Sequence, residues 1–193
     1  MARLDWNSAS QVRQVIPAGV FWPANTPPQL APVANATLFT GQTLSITNRT
    51  VDGDLPAQTL TYSLATAPVD ANLDAGTGIL RWRPTMAQSP STNLFSIAVT
   101  DSGQPPLSAT QSFWATVVRP APPLLQAGGT TSQGFRLHID GVPGPDYQVY
   151  GCTNLNNNWQ WLGTTNPASL PFDFVDPGSS NAATRFYRIQ LGP

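Results

Sequence analysis

The chain has 193 residues, with nine basic and ten acidic side chains and a formal net charge of −1. Charged residues make up 10% and hydrophobic residues 40%, against a usual charged share of ~25%, which excludes a charge-rich disordered tail, and the lack of any basic run argues against a nucleic-acid partner. Every base is Arg and every acid is Asp, so with no Lys, no Glu, one His and one Cys the chain cannot build a zinc site of several His and Cys ligands, a P-loop lysine or a Schiff-base lysine.

At the N-terminus, Val12–Val20 is interrupted by Arg13, Gln14 and Pro17, which leaves no apolar core for an export signal. No stretch is apolar enough to span a membrane. An apolar knot at Val20, Phe21 and Trp22 precedes Asn25-Thr26-Pro27-Pro28, which reads as a linker closing an N-terminal segment of residues 1–28. Twenty prolines and fifteen glycines then punctuate the chain too often for an amphipathic helix, because an interior Pro costs about 3 kcal/mol. The fold class expected is therefore all-β.

Residues 29–120 carry alternating runs in order: Leu44/Ile46, Leu60/Tyr62/Leu64, Leu80/Trp82, Phe95/Ile97/Val99 and Phe113/Ala115/Val117. Each run turns one apolar face inward, since successive strand side chains point to opposite sides. With a first strand near Ala34–Phe39, these are the proportions of an immunoglobulin-like β-sandwich. Residues 121–123, in Pro120-Ala121-Pro122-Pro123, form a stiff extended linker. Residues 124–193 repeat the pattern in Phe135/Leu137/Ile139, Tyr147/Val149, Trp159/Trp161, Phe172/Phe174 and Tyr187/Ile189/Leu191. Turn chemistry at Asp140-Gly141, Pro143-Gly144 and Asp176-Pro177-Gly178 separates them. A second, smaller β-sandwich is expected, of a size at which docking onto a neighbour helps stability.

Val51-Asp52-Gly53-Asp54, Leu60-Thr61-Tyr62-Ser63-Leu64, Thr77-Gly78-Ile79-Leu80-Arg81-Trp82-Arg83-Pro84 and Thr100-Asp101-Ser102-Gly103 with Pro105-Pro106-Leu107-Ser108 together resemble a cadherin-like repeat. More narrowly, they resemble the immunoglobulin-type repeat of large bacterial surface proteins. The resemblance implies a calcium site at Asp52, Asp54 and Asp101, with Asn25 able to add an oxygen, since Ca²⁺ takes six to eight hard oxygens. The chain departs from the family in having no Glu, in placing Arg81 and Arg83 where a further acid belongs, and in lacking an acidic joint after Val118. From Gly134-Phe135-Arg136-Leu137 to Arg185-Phe186-Tyr187-Arg188-Ile189, the chain resembles a short β-module that ends many long extracellular bacterial proteins. That likeness implies a surface setting, with the export signal elsewhere in a longer protein, and no activity.

Single residues add little chemistry. His138 alternates with Leu137 and Ile139 and reads as a surface strand residue. Cys152 reads as structural, with no base nearby in sequence to activate it. Each Asp sits in turn chemistry, so paired carboxylates give no case for a glycosidase. Arg81 and Arg83 are expected to pair with Asp carboxylates. Trp114, opposite the inward set Phe113/Ala115/Val117, is expected on the outer face, where it suits a sugar or a protein contact. Trp159 and Trp161, a period-two pair, read first as core of the smaller sandwich, and otherwise as a stacking platform flanked by amides. The expectation is a non-enzymatic adhesion or spacer module with calcium as its candidate cofactor and a protein, cell-surface or polysaccharide partner. A carbohydrate-binding module using Trp114, Trp159 and Trp161 is the alternative.

Overall fold

The computed structural model describes residues 2–6, 12–17, 24–156, 159–181 and 183–192. Every element of length among them is a strand, and the helical pieces are short 3-10 turns at Met86–Gln88 and Pro177–Asn181. The all-β expectation therefore holds. Near the N-terminus β1 (Ala2–Trp6) pairs antiparallel with β2 (Val12–Pro17). The apolar knot Val20–Trp22 lies outside the described residues.

The first sandwich runs through β3 (Gln29–Leu30), β4 (Ala36–Phe39), β5 (Leu44–Thr47), β6 (Thr50–Val51), β7 (Thr61–Thr66), β8 (Asn72–Leu73), β9 (Ile79–Trp82), β10 (Ser91–Thr100) and β11 (Ser108–Val118). Its larger sheet has the order β4-β11-β10-β7, and β5-β9-β8 lies opposite, with a short β3-β6 pair. The β4 strand runs parallel to β11, Leu38 opposite Val117, while β10 and β11 pair antiparallel along their length, Phe95 opposite Phe113. Period-two burial follows directly: Phe95, Ile97, Val99, Phe113, Ala115 and Val117 are buried from one sheet, and Leu80 and Trp82 from the other. Trp82 meets Phe95 edge-on at 5.4 Å and Phe95 stacks on Phe113 at 5.0 Å, the geometries that ring quadrupoles favour. The Trp82 indole N–H donates to the Val69 carbonyl at 3.1 Å, so the buried donor is satisfied.

The second sandwich comprises β12 (Leu124–Thr131), β13 (Gly134–Asp140), β14 (Asp146–Cys152), β15 (Gln160–Thr165), β16 (Phe172–Asp176) and β17 (Phe186–Gly192). Its two sheets have the orders β12-β13-β16 and β15-β14-β17. Leu137, Ile139, Tyr147 and Val149 form the buried centre, with Phe135, Leu162, Phe172, Phe174, Tyr187 and Ile189 packed around it. The Tyr147 hydroxyl donates to the Val142 carbonyl and accepts from the Val142 N–H, pinning the turn between β13 and β14. At the end of β16, Asp176 is 2% exposed. It lies against the Arg185 guanidinium at 2.6 Å and accepts from the Tyr187 hydroxyl at 3.0 Å and the Gly178 N–H at 3.0 Å. Desolvation, then the Asp176 hydrogen bond and charge, push the Tyr187 phenol up to about 12. A buried ion pair thus sits beside the apolar cluster, against Tyr187 at its margin.

Candidate functional site

Asp52, Asp54 and Asp101 gather at one pole of the first sandwich. The β6 strand ends where Asp52 begins an Asx turn, its Oδ1 accepting the Asp54 N–H at 3.0 Å. The linker residue Thr26 holds Asp54 from the other side, its N–H donating to Oδ2 at 2.7 Å and its hydroxyl to Oδ1 at 2.9 Å. Asp101, buried at the end of β10, accepts at Oδ1 from the N–H groups of Gly103 and Leu107, at 3.0 and 2.9 Å. Asn25 donates its amide to both Asp101 oxygens at 3.1 and 3.2 Å, and to the Pro105 carbonyl at 2.8 Å. Gln58 then donates to Asn25 Oδ1 and to Asp54 Oδ2. Desolvation pushes the Asp101 carboxyl upward, but the Leu107 and Gly103 N–H groups and the Asn25 amide outweigh it and hold the group below the ordinary carboxylate range.

The three aspartates are therefore linked through amides and do not converge on a common point. Among the described residues no three His, Cys or Asp side chains stand together as a metal-binding group. Both oxygens of Asp54 and of Asp101 are already occupied by donors, and the buried oxygens left without a partner at this pole are Asp52 Oδ2 and Gln58 Oε1. As folded, a cation at this pole has to displace those amide and backbone donors before it gains the six to eight hard oxygens that Ca²⁺ takes.

The tryptophans divide. Trp114 is 47% exposed on the outer face of β11, its backbone N–H bonded to Asn35 Oδ1. Trp161 is 62% exposed and Trp159 half-buried, which corrects the reading of this pair as core. The pairing of β14 with β15 shifts register between Val149 and Tyr150. Leu162 consequently takes the inward position and joins the buried centre, while Trp161 is turned out and Trp159, ahead of the strand, lies across the outer face. His138 also faces outward, with Nδ1 2.9 Å from Asp173 Oδ1 on the neighbouring strand, and Cys152 is buried.

A joint between the sandwiches stands out that turn signals alone did not reveal. Arg83, just beyond β9, sends its Nε to the Gly41 carbonyl at 2.7 Å and its Nη2 to the Gly144 carbonyl at 3.2 Å. The same guanidinium grips Asp146 of the second sandwich at 2.8 Å to Oδ1 and 3.4 Å to Oδ2. Asn166 donates to Gly144 O at 2.9 Å and to Asp146 Oδ1 at 2.8 Å. The two backbones approach so closely that a Cβ on Gly41 would lie 2.6 Å from the Gly144 carbonyl, and one on Gly144 would collide with Gln42 Cγ. Both glycines also have positive φ, 79° and 117°, where a side chain is strained. Desolvation raises the Asp146 carboxyl, but hydrogen bonds from Arg83 and Asn166 and the Arg83 charge together pull it below its usual range.

A cleft of about 760 Å³ opens in the second sandwich, lined by Leu125, Ala127, Phe135, Leu137, Arg185 and Tyr187 among others. No His or Cys lines it, and its guanidinium is committed to Asp176.

No family model and no curated protein matches the sequence. Among solved structures, the chain is similar to the protocadherin gamma B4 extracellular domain, at 14% identity and a TM-score of 0.42 over 72% of this chain and 30% of that one. It is also similar to the third cadherin domain of human protocadherin 7, at 18% identity and a TM-score of 0.39 over 53% of this chain and 95% of that one. A nucleoside hydrolase-related protein from Saccharophagus degradans, associated with carbohydrate metabolism, aligns at 15% identity and a TM-score of 0.39 over 49% of this chain. The chain spans 26% of the length of that protein and 30% of the protocadherin gamma B4 structure. Likeness of this degree carries no argument about activity or partners.

Proposed function

We propose that the chain is a non-enzymatic structural and adhesion module that holds two β-sandwiches in one fixed orientation. The observation that carries this reading is the joint at Arg83. A bidentate guanidinium, two accepting carbonyls and a glycine-to-glycine backbone contact constrain several directions at once, as a single exposed ion pair would not. The proline stretch after Val118 stiffens the covalent connection, and the joint supplies a second, non-covalent one. Two attachments between rigid bodies remove the hinge that one leaves. The reading also takes in an extracellular or cell-surface setting, which the resemblance to surface repeats implies. It assigns no resident metal to the pole of Asp52, Asp54 and Asp101.

The test is an inter-sandwich distance distribution from paired spin labels, one on each sandwich at exposed sites away from the joint. A single narrow distribution is expected for the native chain, broadening in Arg83→Ala while both sandwiches keep their strand content by circular dichroism. A native distribution already as broad as that of Arg83→Ala would overturn the spacer reading.

A further inference from the structure

The outer face of the β15-β14-β17 sheet carries a side-chain set that a spacer does not need. Trp161, Tyr150 and Arg188 are backbone partners across the three strands, and at a strand spacing of ~4.8 Å the row spans about 10 Å. That span is comparable to a disaccharide unit. The Arg188 guanidinium lies 5.0 Å from the Tyr150 ring centroid and 4.7 Å from that of Trp159, so it packs against both rings while the residue stays exposed. Trp161, 62% exposed, has its indole N–H fixed on Thr164 Oγ1 at 3.1 Å, which presents the ring without freedom to fold away. The next row along the sheet brings Gln148 beside Gln190, and Gln148 Oε1 accepts the Tyr150 hydroxyl at 2.9 Å. Amides and rings in alternate rows are suited to the hydroxyl groups and the apolar C–H faces of sugars respectively.

Charge narrows the partner. Arg188 makes no ion pair among the described residues. Of the carboxylates in this sandwich, Asp176 is taken by Arg185, Asp173 lies beside His138 on the other sheet, and Asp140 ends a strand of that same sheet. Asp146 shares the strand with Tyr150 but is held by Arg83, and at ~3.3 Å per residue it lies about 13 Å further along. The face thus offers one stacked, unpaired guanidinium with flat rings on either side. A sugar with a carboxylate on its ring satisfies both features in one residue, its C–H face on an indole and its carboxylate on the guanidinium edge. We infer that this face binds acidic polysaccharide, a chain of uronic acid units, through Trp161, Tyr150, Trp159 and Arg188.

The experiment is affinity electrophoresis and calorimetry of the full chain against polygalacturonate, with fully methyl-esterified pectin as the uncharged counterpart and polyaspartate as the acidic peptide. Retention by polygalacturonate is expected, weakening as salt rises, with little retention by the ester or by polyaspartate. Arg188→Gln should lower affinity for polygalacturonate about tenfold, as expected for loss of one charge-assisted pair, and flatten the salt dependence. Trp161→Ala, at an exposed position that leaves the melting temperature in place, should also cost about tenfold. Arg81→Gln, which removes an equal charge from the other sandwich, should leave binding intact. Four outcomes would each overturn the inference: no retention on polygalacturonate, equal binding of the ester, equal binding of polyaspartate, or a loss in Arg81→Gln matching that in Arg188→Gln.

Discussion

The two sandwiches reach closure by different means. The first buries ten hydrophobic residues in one cluster and stacks Trp82, Phe95 and Phe113 at its centre. The second fully buries only Leu137, Ile139, Tyr147 and Val149 in its cluster, and adds a buried ion pair, Asp176 with Arg185, under the stacked rings of Phe135 and Tyr187. Apolar burial grows with size, so hydrophobic transfer carries more of the closure of the larger sandwich. The smaller one reaches inward with charge and outward with the joint. The difference teaches where each is vulnerable: the first to lost volume, the second to lost pairing.

The largest expected effect breaks the first core. Phe95→Ala removes the ring that touches both Trp82 and Phe113 and should cost about 3–5 kcal/mol by transfer and cavity terms together. Differential scanning calorimetry should show the first sandwich melting earlier, with the second little changed. A loss shared equally by both would mean that the two cores unfold as one unit. Next comes Asp176→Asn, which keeps shape but leaves the Arg185 charge uncompensated in a site where that side chain is 14% exposed. A cost of about 3 kcal/mol is expected, at the lower end for breaking a buried pair, read by urea denaturation of the second sandwich. A variant within 0.5 kcal/mol of wild type, roughly the surface-substitution range, would show that the apolar ring around Asp176 suffices alone.

How far these contrasts were legible in the sequence depends on the range over which each is set. Leu80/Trp82, Phe95/Ile97/Val99 and Phe113/Ala115/Val117 are local period-two patterns, and each residue is buried as its parity requires. The β12 strand carries no clear period because Gly128 and Gly129 break its alternation at a bulge against β13. Two-residue strands such as β3, β6 and β8 are too short to carry any period. The period-two pattern of β15 turns Trp161 inward, but a single register shift inverts parity, and that shift is a property of the β14 pairing, not of β15 itself. Arg83 was expected to find a carboxylate, but its partner Asp146 is 63 positions away, and only the docking of the sandwiches selects it. At the pole, the aspartates were conspicuous by charge, whereas Asn25 and Gln58, whose amides consume the carboxylate oxygens, carry no charge to mark them.

The joint gives the third test. Gly41→Ala places a methyl against the Gly144 carbonyl at a positive φ, and should cost about 1–3 kcal/mol of local strain while broadening the inter-sandwich distance distribution. Acid should do the same without mutation. Because the Asp146 carboxyl is held below its ordinary value in the docked state, its contribution is fully present above the free-carboxylate pKa of about 3.9. That contribution is lost as pH falls through the lowered folded value. The distance distribution should stay narrow from neutral pH to about 4 and broaden below it, and Asp146→Asn should remove that acid dependence. A distribution as narrow at pH 3 as at pH 7, or an acid broadening that persists in Asp146→Asn, would overturn the role given to Asp146.

The smallest expected effect is a null that separates this pole from the calcium joints its aspartates resemble. An ion bound only by the folded state adds about 2.7 kcal/mol at 100 times its dissociation constant, a rise of several degrees for a domain of this size. With Asp54 and Asp101 occupied by Thr26, Asn25 and backbone donors, a cation has to displace those donors before it gains a ligand. Millimolar Ca²⁺ and excess chelator at equal ionic strength should therefore give the same melting temperature for the first sandwich. Asn25→Asp tests the reason: a carboxylate in place of the amide removes two donor contacts to Asp101 and sets two anions against each other. That variant should melt lower in chelator and recover in calcium. A native chain that itself melts several degrees higher in calcium would show that the cation outcompetes the amides, and the two poles would then differ in strength of closure and not in kind.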